Sequence, residues 1–163
     1  MEALNLTKEI ERKFLVKTVP NLLKVKQEYI IQGYLNDEPE IRIRKKSNTY
    51  YLTQKGKGDI VRSEEETEIN QKVLTILLNL LKGNVIEKTR YQIPLESNLL
   101  AELDIYHGIL KGLLTVEVEF KNLKEAKTFQ VPKWFGKEVT KDQRYRNQNL
   151  ARCKDIQMLK WSS

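Results

Sequence analysis

The stretch Glu9-Ile10-Glu11-Arg12-Lys13-Phe14 decides the fold. Residues two apart on an extended strand share a face, so Glu9, Glu11 and Lys13 point one way and Ile10 and Phe14 the other. The same period of two returns in Glu40-Ile41-Arg42-Ile43-Arg44, in Glu102-Leu103-Asp104-Ile105-Tyr106 and in Glu117-Val118-Glu119-Phe120. Each segment is therefore a strand with one charged and one apolar face.

Reading outward from these segments predicts strands near 8–16, 29–35, 38–46, 49–56, 60–69, 84–94, 99–107 and 113–121. Asn36-Asp37-Glu38-Pro39 and Lys55-Gly56-Lys57-Gly58-Asp59 have the composition of hairpin turns. A helix is expected over about 70–82. Asn70 is its N-cap, Val73, Leu74, Leu77, Leu78 and Leu81 form its apolar stripe, and Gly83 its stop. Further helices are expected after Asn122, over 142–153 and over 21–28. No repeat, linker or low-complexity stretch divides the chain, which predicts one domain over 1–163. The fold class is α+β: an eight-stranded antiparallel β-barrel, a tunnel, with flanking helices. A barrel of eight strands has just enough interior for side chains or one small ligand.

The chain has 163 residues, 31% charged, with a formal net charge of +7. That excess fits nucleic acid, a membrane surface or a small polyanion, and the arrangement of the charges must choose. Cys153 is the only cysteine, which excludes an intramolecular disulfide and a Cys-rich zinc site. The first residues have no apolar signal segment, and no apolar run approaches a membrane span. A cytoplasmic protein with no membrane partner is expected.

For a single strand the plain reading of a charged face is a solvated one. The set reads differently. Glu9 and Glu11, Glu64 and Glu66, Glu102 and Asp104, and Glu117 and Glu119 are like-charged pairs, and so are Arg42 and Arg44 and Lys88 and Arg90. Like charges on one face repel unless something compensates them. Paired cations call for a polyanion, and paired carboxylates for a hard divalent cation. The apolar face, with Ile10, Ile41, Ile43, Leu52, Leu103, Ile105, Val116 and Val118, can be covered from outside by the helix at 70–82 and the Trp134-Phe135 segment. The charged face then points into the barrel.

These same residues carry a resemblance. Glu9-Ile-Glu11-Arg-Lys13 resembles the Glu-x-Glu-x-Lys signature of the CYTH superfamily, the triphosphate tunnel metalloenzymes. The likeness continues in order through Arg42-x-Arg44, Thr53-x-Lys55, Arg62-x-Glu64-x-Glu66, Glu87-Lys88-Thr89-Arg90, Glu102-Leu-Asp104 and Glu117-x-Glu119. It ends in Trp134-Phe135-Gly136, Val139-Thr140-Lys-Asp142, Tyr145 and Asn147. It covers about residues 8–152.

The resemblance implies a tunnel that hydrolyses a triphosphate with Mg²⁺ or Mn²⁺. Lys13, Arg42, Arg44, Lys55, Arg62, Lys88 and Arg90 would clamp phosphates. Glu9, Glu11, Glu64, Glu117 and Glu119 would hold metal. Glu9, Glu11, Lys13, Glu117 and Glu119 would carry catalysis, with Tyr34, Glu66 and Asp104 as further candidates. Glu-Ile-Glu-Arg-Lys-Phe-Leu and Gln32-Gly33-Tyr34-Leu35 resemble the small bacterial inorganic triphosphatases, which split tripolyphosphate into pyrophosphate and phosphate. Adenylate cyclase, thiamine- or nucleoside-triphosphatase and RNA 5′-triphosphatase remain alternatives within the fold. A non-catalytic binder of polyphosphate or RNA 5′ ends is the rival class. It has no use for Glu9, Glu11, Glu117 and Glu119, which would repel its ligand, so nucleic acid is not favoured as a partner. Homodimerisation is left open.

His107 reads as a surface or turn residue, Cys153 as a packed thiol, and Trp134 and Phe135 as packing aromatics. Lys55-Gly-Lys57-Gly58 lacks P-loop spacing and reads as a hairpin tip.

Overall fold

The computed structural model describes residues 7–162. Its strands are β1 (Thr7–Val16), β2 (Lys26–Asp37), β3 (Glu40–Lys46), β4 (Thr49–Lys55), β5 (Val61–Ile69), β6 (Lys82–Pro94), β7 (Leu100–Tyr106), β8 (Leu114–Glu119) and β9 (Phe135–Glu138). The sheet order is β5-β4-β3-β2-β6-β7-β8-β1-β9, and β5 also pairs with β1. Eight strands therefore close into an antiparallel barrel, as the alternation predicts, and β9 lies beside β1 outside the ring. That ninth strand is not foreseen: its four residues are too few to show a period of two.

Register fixes which side chains share the interior. Lys13 lies opposite Glu117, Glu11 opposite Glu119 and Glu9 opposite Arg62. Arg42 lies opposite Tyr34 and Thr53, and Arg90 opposite Asp104 and Glu28. On the other face, Phe14, Ala101, Val116, Val118 and Phe120 form a buried outer layer with Ala126 of helix α2 (Leu123–Thr128) and Phe135 of β9. Asn122 caps α2 by accepting from the backbone N–H of Glu125 at 2.8 Å. Trp134 meets Phe135 edge-on at 4.4 Å, a packing role. Of the residues expected under this cover, Ile43, Leu103, Val116 and Val118 are buried, while Ile10, Ile41, Leu52 and Ile105 are half-buried.

Helix α1 (Gln71–Leu78) starts on its predicted cap, where Asn70 Oδ1 accepts from Val73 N–H at 2.9 Å. It ends earlier than expected, because Lys82 already belongs to β6. Leu81 beyond it packs onto Gly33, where a Cβ would come within 2.5 Å of Leu81 Cδ2. Residues 21–28 are not a helix: β2 begins at Lys26, and its pairing with β6 overrides the local signal. The helix expected over 142–153 is a 3₁₀ turn at Gln143–Tyr145 followed by the four-residue α3 (Asn147–Leu150). That segment is shaped by its seat on the barrel. Tyr145, Leu150, Ala151 and Leu159 pack onto the inward-facing Tyr34, Ile86 and Tyr106 and plug one end of the barrel with an apolar seal. No helix among the described residues is long and apolar enough to cross a membrane.

Candidate active site

The barrel encloses a polar chamber of about 210 Å³. Twelve of the residues picked from the sequence line it: Glu9, Glu11, Lys13, Arg42, Arg44, Lys55, Arg62, Glu64, Lys88, Arg90, Glu117 and Glu119. They come from β1, β3, β4, β5, β6 and β8, and only closure of the sheet brings them together. Tyr34 also lines it, at the plugged end. Burial, with Glu40 adding, holds the Tyr34 hydroxyl well above its ordinary range, so it serves as packing and as acceptor for Gln32 Nε2 at 2.8 Å. Glu66 and Asp104 lie outside the lining and hold its members. Glu66 accepts from Arg44 Nη2 at 3.0 Å and Thr53 Oγ1 at 2.7 Å. Asp104 is fully buried and accepts from Lys88 Nζ at 2.6 Å, Arg90 Nε at 2.7 Å and Arg90 Nη2 at 2.8 Å.

The charges of the chamber segregate by arc. Around the ring, β7, β8, β1 and β5 are contiguous and bring Glu102, Glu117, Glu119, Glu9, Glu11 and Glu64, with Lys13 and Arg62 among them. The facing arc of β4, β3, β2 and β6 brings Lys55, Arg42, Arg44, Lys46, Lys88 and Arg90, with Glu40 among them. Including Asp59, Asp142 and Arg146, nine basic and nine acidic side chains line the space. The lining is thus formally neutral but polarised across its width.

That polarisation is written into the titration of the carboxyls. Burial, then Glu117, and also Glu9, push the Glu11 carboxyl well above its ordinary value. Burial together with Glu9, Glu64 and Glu102 raises Glu119. Burial and Glu9 raise Glu64 despite Lys55. Glu117 goes the other way: burial opposes its charge, yet Lys13, Arg90, Lys88 and Lys55 hold it well below the usual carboxylate range. Among the cations, burial brings Lys88 down to about 8 in spite of Asp104, and brings Arg44 down to about 10 with help from Arg42 and Arg90.

Buried polar atoms without partners are costly, and here they mark what the chamber is shaped to take. Arg42 Nε and Arg44 Nε are buried donors with no hydrogen bond, and Glu117 Oε1 is a buried acceptor with none. Lys13 Nζ stands 3.3 Å from that oxygen without bonding it, and donates instead to the Tyr145 carbonyl at 2.7 Å. Orphan donors on one arc suit an anion. A carboxylate arc under mutual repulsion suits a hard cation with oxygen ligands. The donor set fits Mg²⁺ or Mn²⁺ in chemistry. Among the described residues, however, no three carboxylates stand as a ready cage, and Glu9 is met by Lys55 Nζ at 2.6 Å.

The sequence reading leaves out several residues of the lining. Glu40 is buried and accepts from Arg62 Nη2 at 3.0 Å. It shares the parity of Arg42 and Arg44, so the period of two already marks it. Asp59, Thr140, Asp142, Arg146 and Asn147 also line the chamber. They sit on a hairpin tip and on the plug, where no periodicity reveals orientation. His107 lies outside the lining, with Nε2 2.8 Å from Thr89 Oγ1 and its ring stacked on Tyr29. Cys153 is buried, and its thiol donates to the Asp155 carbonyl at 3.1 Å.

Comparison with known proteins adds four findings. The CYTH domain model matches residues 7–149. The inorganic triphosphatase of Nitrosomonas europaea is 42% identical over 146 residues, covering 88% of this chain and 96% of that protein. The inorganic triphosphatase of Acetivibrio thermocellus is 37% identical over 149 residues, covering 89% and 94%. The crystal structure of the inorganic triphosphatase NE1496 superposes with a TM-score of 0.68 at 39% identity, covering 90% of this chain and 96% of that one.

Proposed function

The chain belongs to the CYTH family, and on that premise we propose that it is a metal-dependent triphosphatase, cleaving inorganic tripolyphosphate to pyrophosphate and phosphate. The observation that carries this reading is the split of the chamber into a cationic and a carboxylate arc. A cation-only site would bind a polyanion and stop there. The opposing carboxylates would repel that ligand unless a divalent ion lies between, and triphosphatases of this family are metal-dependent in general.

Arg42, Arg44, Lys88 and Arg90 would hold the phosphate oxygens, Arg through planar, directed N–H groups and Lys as a point charge. The free Nε donors of Arg42 and Arg44 favour this use, since an anion would satisfy them. Lys55, Arg62 and Lys13 would meet the chain from the other walls. Lys13, fixed by the Tyr145 carbonyl, would offer its charge to the phosphate oxygens as they gain charge in the reaction. Glu9, Glu11, Glu64, Glu117 and Glu119 would hold Mg²⁺ or Mn²⁺. When bound, such an ion neutralises phosphate charge and makes water a better nucleophile near neutral pH. Asp104 and Glu66 keep the cations pointed into the chamber. Among the described residues, the aromatics of the lining are Tyr34 and Tyr145, both committed to the plug, so none of them is offered to stack a nucleobase or a thiazolium. That favours an inorganic chain over ATP or thiamine triphosphate.

The test is product analysis with tripolyphosphate, ATP, thiamine triphosphate and pyrophosphate, each with Mg²⁺, Mn²⁺ or EDTA, beside the double variant Glu9→Gln/Glu11→Gln. Cleavage of tripolyphosphate that needs metal and is lost in the variant is expected. Turnover that survives EDTA, or a preference for ATP, overturns the reading.

A further inference from the structure

The chamber has a neighbour. A second cavity of about 380 Å³ lies at the tips of the β2–β3 and β4–β5 hairpins. Glu40, Lys55, Gly58, Asp59, Arg62 and Arg146 line both spaces, so these residues are the partition between them. Part of that partition is strand: Glu40 and Lys55 are paired neighbours on β3 and β4 and cannot move without breaking the barrel. The rest is the tip 56–59, which is joined to the plug by two side chains, the weaker being Gln143, whose Nε2 donates to Asp59 Oδ1 at 3.3 Å. Arg146 Nη2 donates to the Gly58 carbonyl at 2.7 Å and to Asp59 Oδ1 at 2.5 Å.

The two halves of this contact differ in rigidity. Arg146 stands between two anchored residues. Tyr145 is buried and its carbonyl takes the Lys13 ammonium, and Asn147 Oδ1 accepts from the buried Tyr106 hydroxyl at 2.7 Å. The tip is a glycine-bounded loop in which Gly58 has φ +136. A Cβ there would meet the Val61 carbonyl oxygen at 2.0 Å, so the loop's path depends on glycine. The ion pair itself is weak: Arg146 and Asp59 keep 22% and 38% of their side-chain surface exposed, and exposed pairs contribute little net stability. A phosphate oxygen is a competing acceptor of the same kind for the Arg146 guanidinium.

We propose that Arg146 and Asp59 form a latch that sets the length of phosphate chain the chamber accepts. Closed, the latch ends the chamber at the partition. Opened, Arg146 exchanges Asp59 for a phosphate oxygen, the tip moves aside, and a longer linear chain continues into the second cavity, whose cations Arg62 and Lys57 would exchange their partners Glu40 and Glu38 for phosphate in the same way. The inference rests on the triphosphatase reading and adds a specificity-determining residue to it.

The experiment compares tripolyphosphate and tetrapolyphosphate as substrates for the wild-type protein, Arg146→Ala and Asp59→Asn. Asp59→Asn leaves Arg146 and Gln143 in place and changes only the acceptor they share on the tip, so it tests the latch without substituting a plug residue. In Asp59→Asn the ratio of kcat/KM for the four-phosphate chain to that for the three-phosphate chain is expected to rise about fivefold, which corresponds to an exposed ion pair of up to ~1 kcal/mol, and in Arg146→Ala, which opens the partition but also removes the new phosphate contact, to rise by less. An unchanged ratio in both variants, or a rise in Arg146→Ala alone, overturns the latch. If the wild-type protein cleaves neither chain, it is the triphosphatase reading that has failed. The latch is then judged by the ratio of dissociation constants for the two chains, measured by titration calorimetry against the same fivefold criterion.

Discussion

Replacing Asp104 by Asn keeps the shape of a fully buried side chain and removes its charge. In the native protein that carboxylate takes three charge-assisted hydrogen bonds, one from Lys88 and two from Arg90, at 2.6 to 2.8 Å. Removing one partner from a buried ion pair typically costs 3–5 kcal/mol, because the partner's charge is left uncompensated. Arg90 retains Glu102, which accepts from its Nη1 at 2.9 Å. Lys88, only 1% exposed and already brought down to about 8 by burial, has an escape: without Asp104 it gives up its proton near neutral pH. That escape holds the loss at the low end, about 3 kcal/mol. At roughly 2–4 °C per kcal/mol for a chain of this size, Tm should fall by about 6–12 °C. The assay is urea and thermal unfolding followed by circular dichroism. Function should respond with a distinctive pH dependence. A neutral Lys88 must regain its proton to hold a polyanion, so tripolyphosphate affinity in Asp104→Asn should improve as pH falls from 8 to 6 by more than in the wild type. A stability loss under ~1 kcal/mol, or identical pH profiles for the two proteins, would refute the account of Asp104 as the group that holds both cations in place.

The remaining predictions concern the carboxylate arc, the hairpin tip and the outer layer. Glu11 has its folded-state carboxyl well above its ordinary 4.5, first through burial and then through Glu117 and Glu9. Its ionised form therefore opposes folding, with a cost that grows as pH rises from about 4.5 through the raised value. Glu11→Gln should raise the Tm of the metal-free protein at neutral pH by up to about 4 °C while shrinking the Tm gain from Mg²⁺; calorimetric scans with and without the ion check both, and a variant less stable than the wild type at neutral pH contradicts the repulsion argument. Gly58→Ala must reroute the tip and should cost about 1–3 kcal/mol, seen as a lower urea midpoint; an unchanged midpoint means the loop does not need its positive φ. Phe135→Ala removes a ring 5.1 Å from that of Phe14 and 4.4 Å from that of Trp134 and should cost about 3–5 kcal/mol in equilibrium unfolding. A loss below ~1 kcal/mol would mean β9 is a dispensable cover.

The barrel and most of its charged interior were legible for one physical reason. On a strand, side-chain direction is a function of residue parity alone, so Glu9-x-Glu11-x-Lys13 and Arg42-x-Arg44 announce their shared face. The same rule marks Glu40, two residues before Arg42 on the same face. Residues on the plug were not legible as lining. Tyr145, Arg146 and Asn147 are consecutive, and each finds a different use: Tyr145 in the seal, Arg146 on the tip, Asn147 under Tyr106. Their directions come from a 3₁₀ turn and a single helical turn imposed by the surface beneath, which local pattern does not encode. The helix read over 21–28 failed on competition, since pairing of Lys26–Tyr29 with β6 outweighs propensity. Asp104 was legible as a charged inward residue. Its role as a support for Lys88 and Arg90 required cross-strand register, in which Asp104 faces Arg90 directly.

Closure of the ring has a consequence for how the molecule comes into being. β1 is held by β5 through only four residue pairs, Thr7 to Ile10 against Glu64 to Val61, and its main partner is β8, where Lys13 meets Glu117. Those two residues are 104 positions apart in the chain, so during synthesis β1 waits with an open edge until nearly the last strand has left the ribosome. Pairings that distant close slowly, and a waiting edge is the part of a nascent sheet most prone to join a neighbour's. The charges on β1 then serve a purpose before any ligand is present: Glu9, Glu11, Arg12 and Lys13 make an unfinished edge a poor template for a stranger.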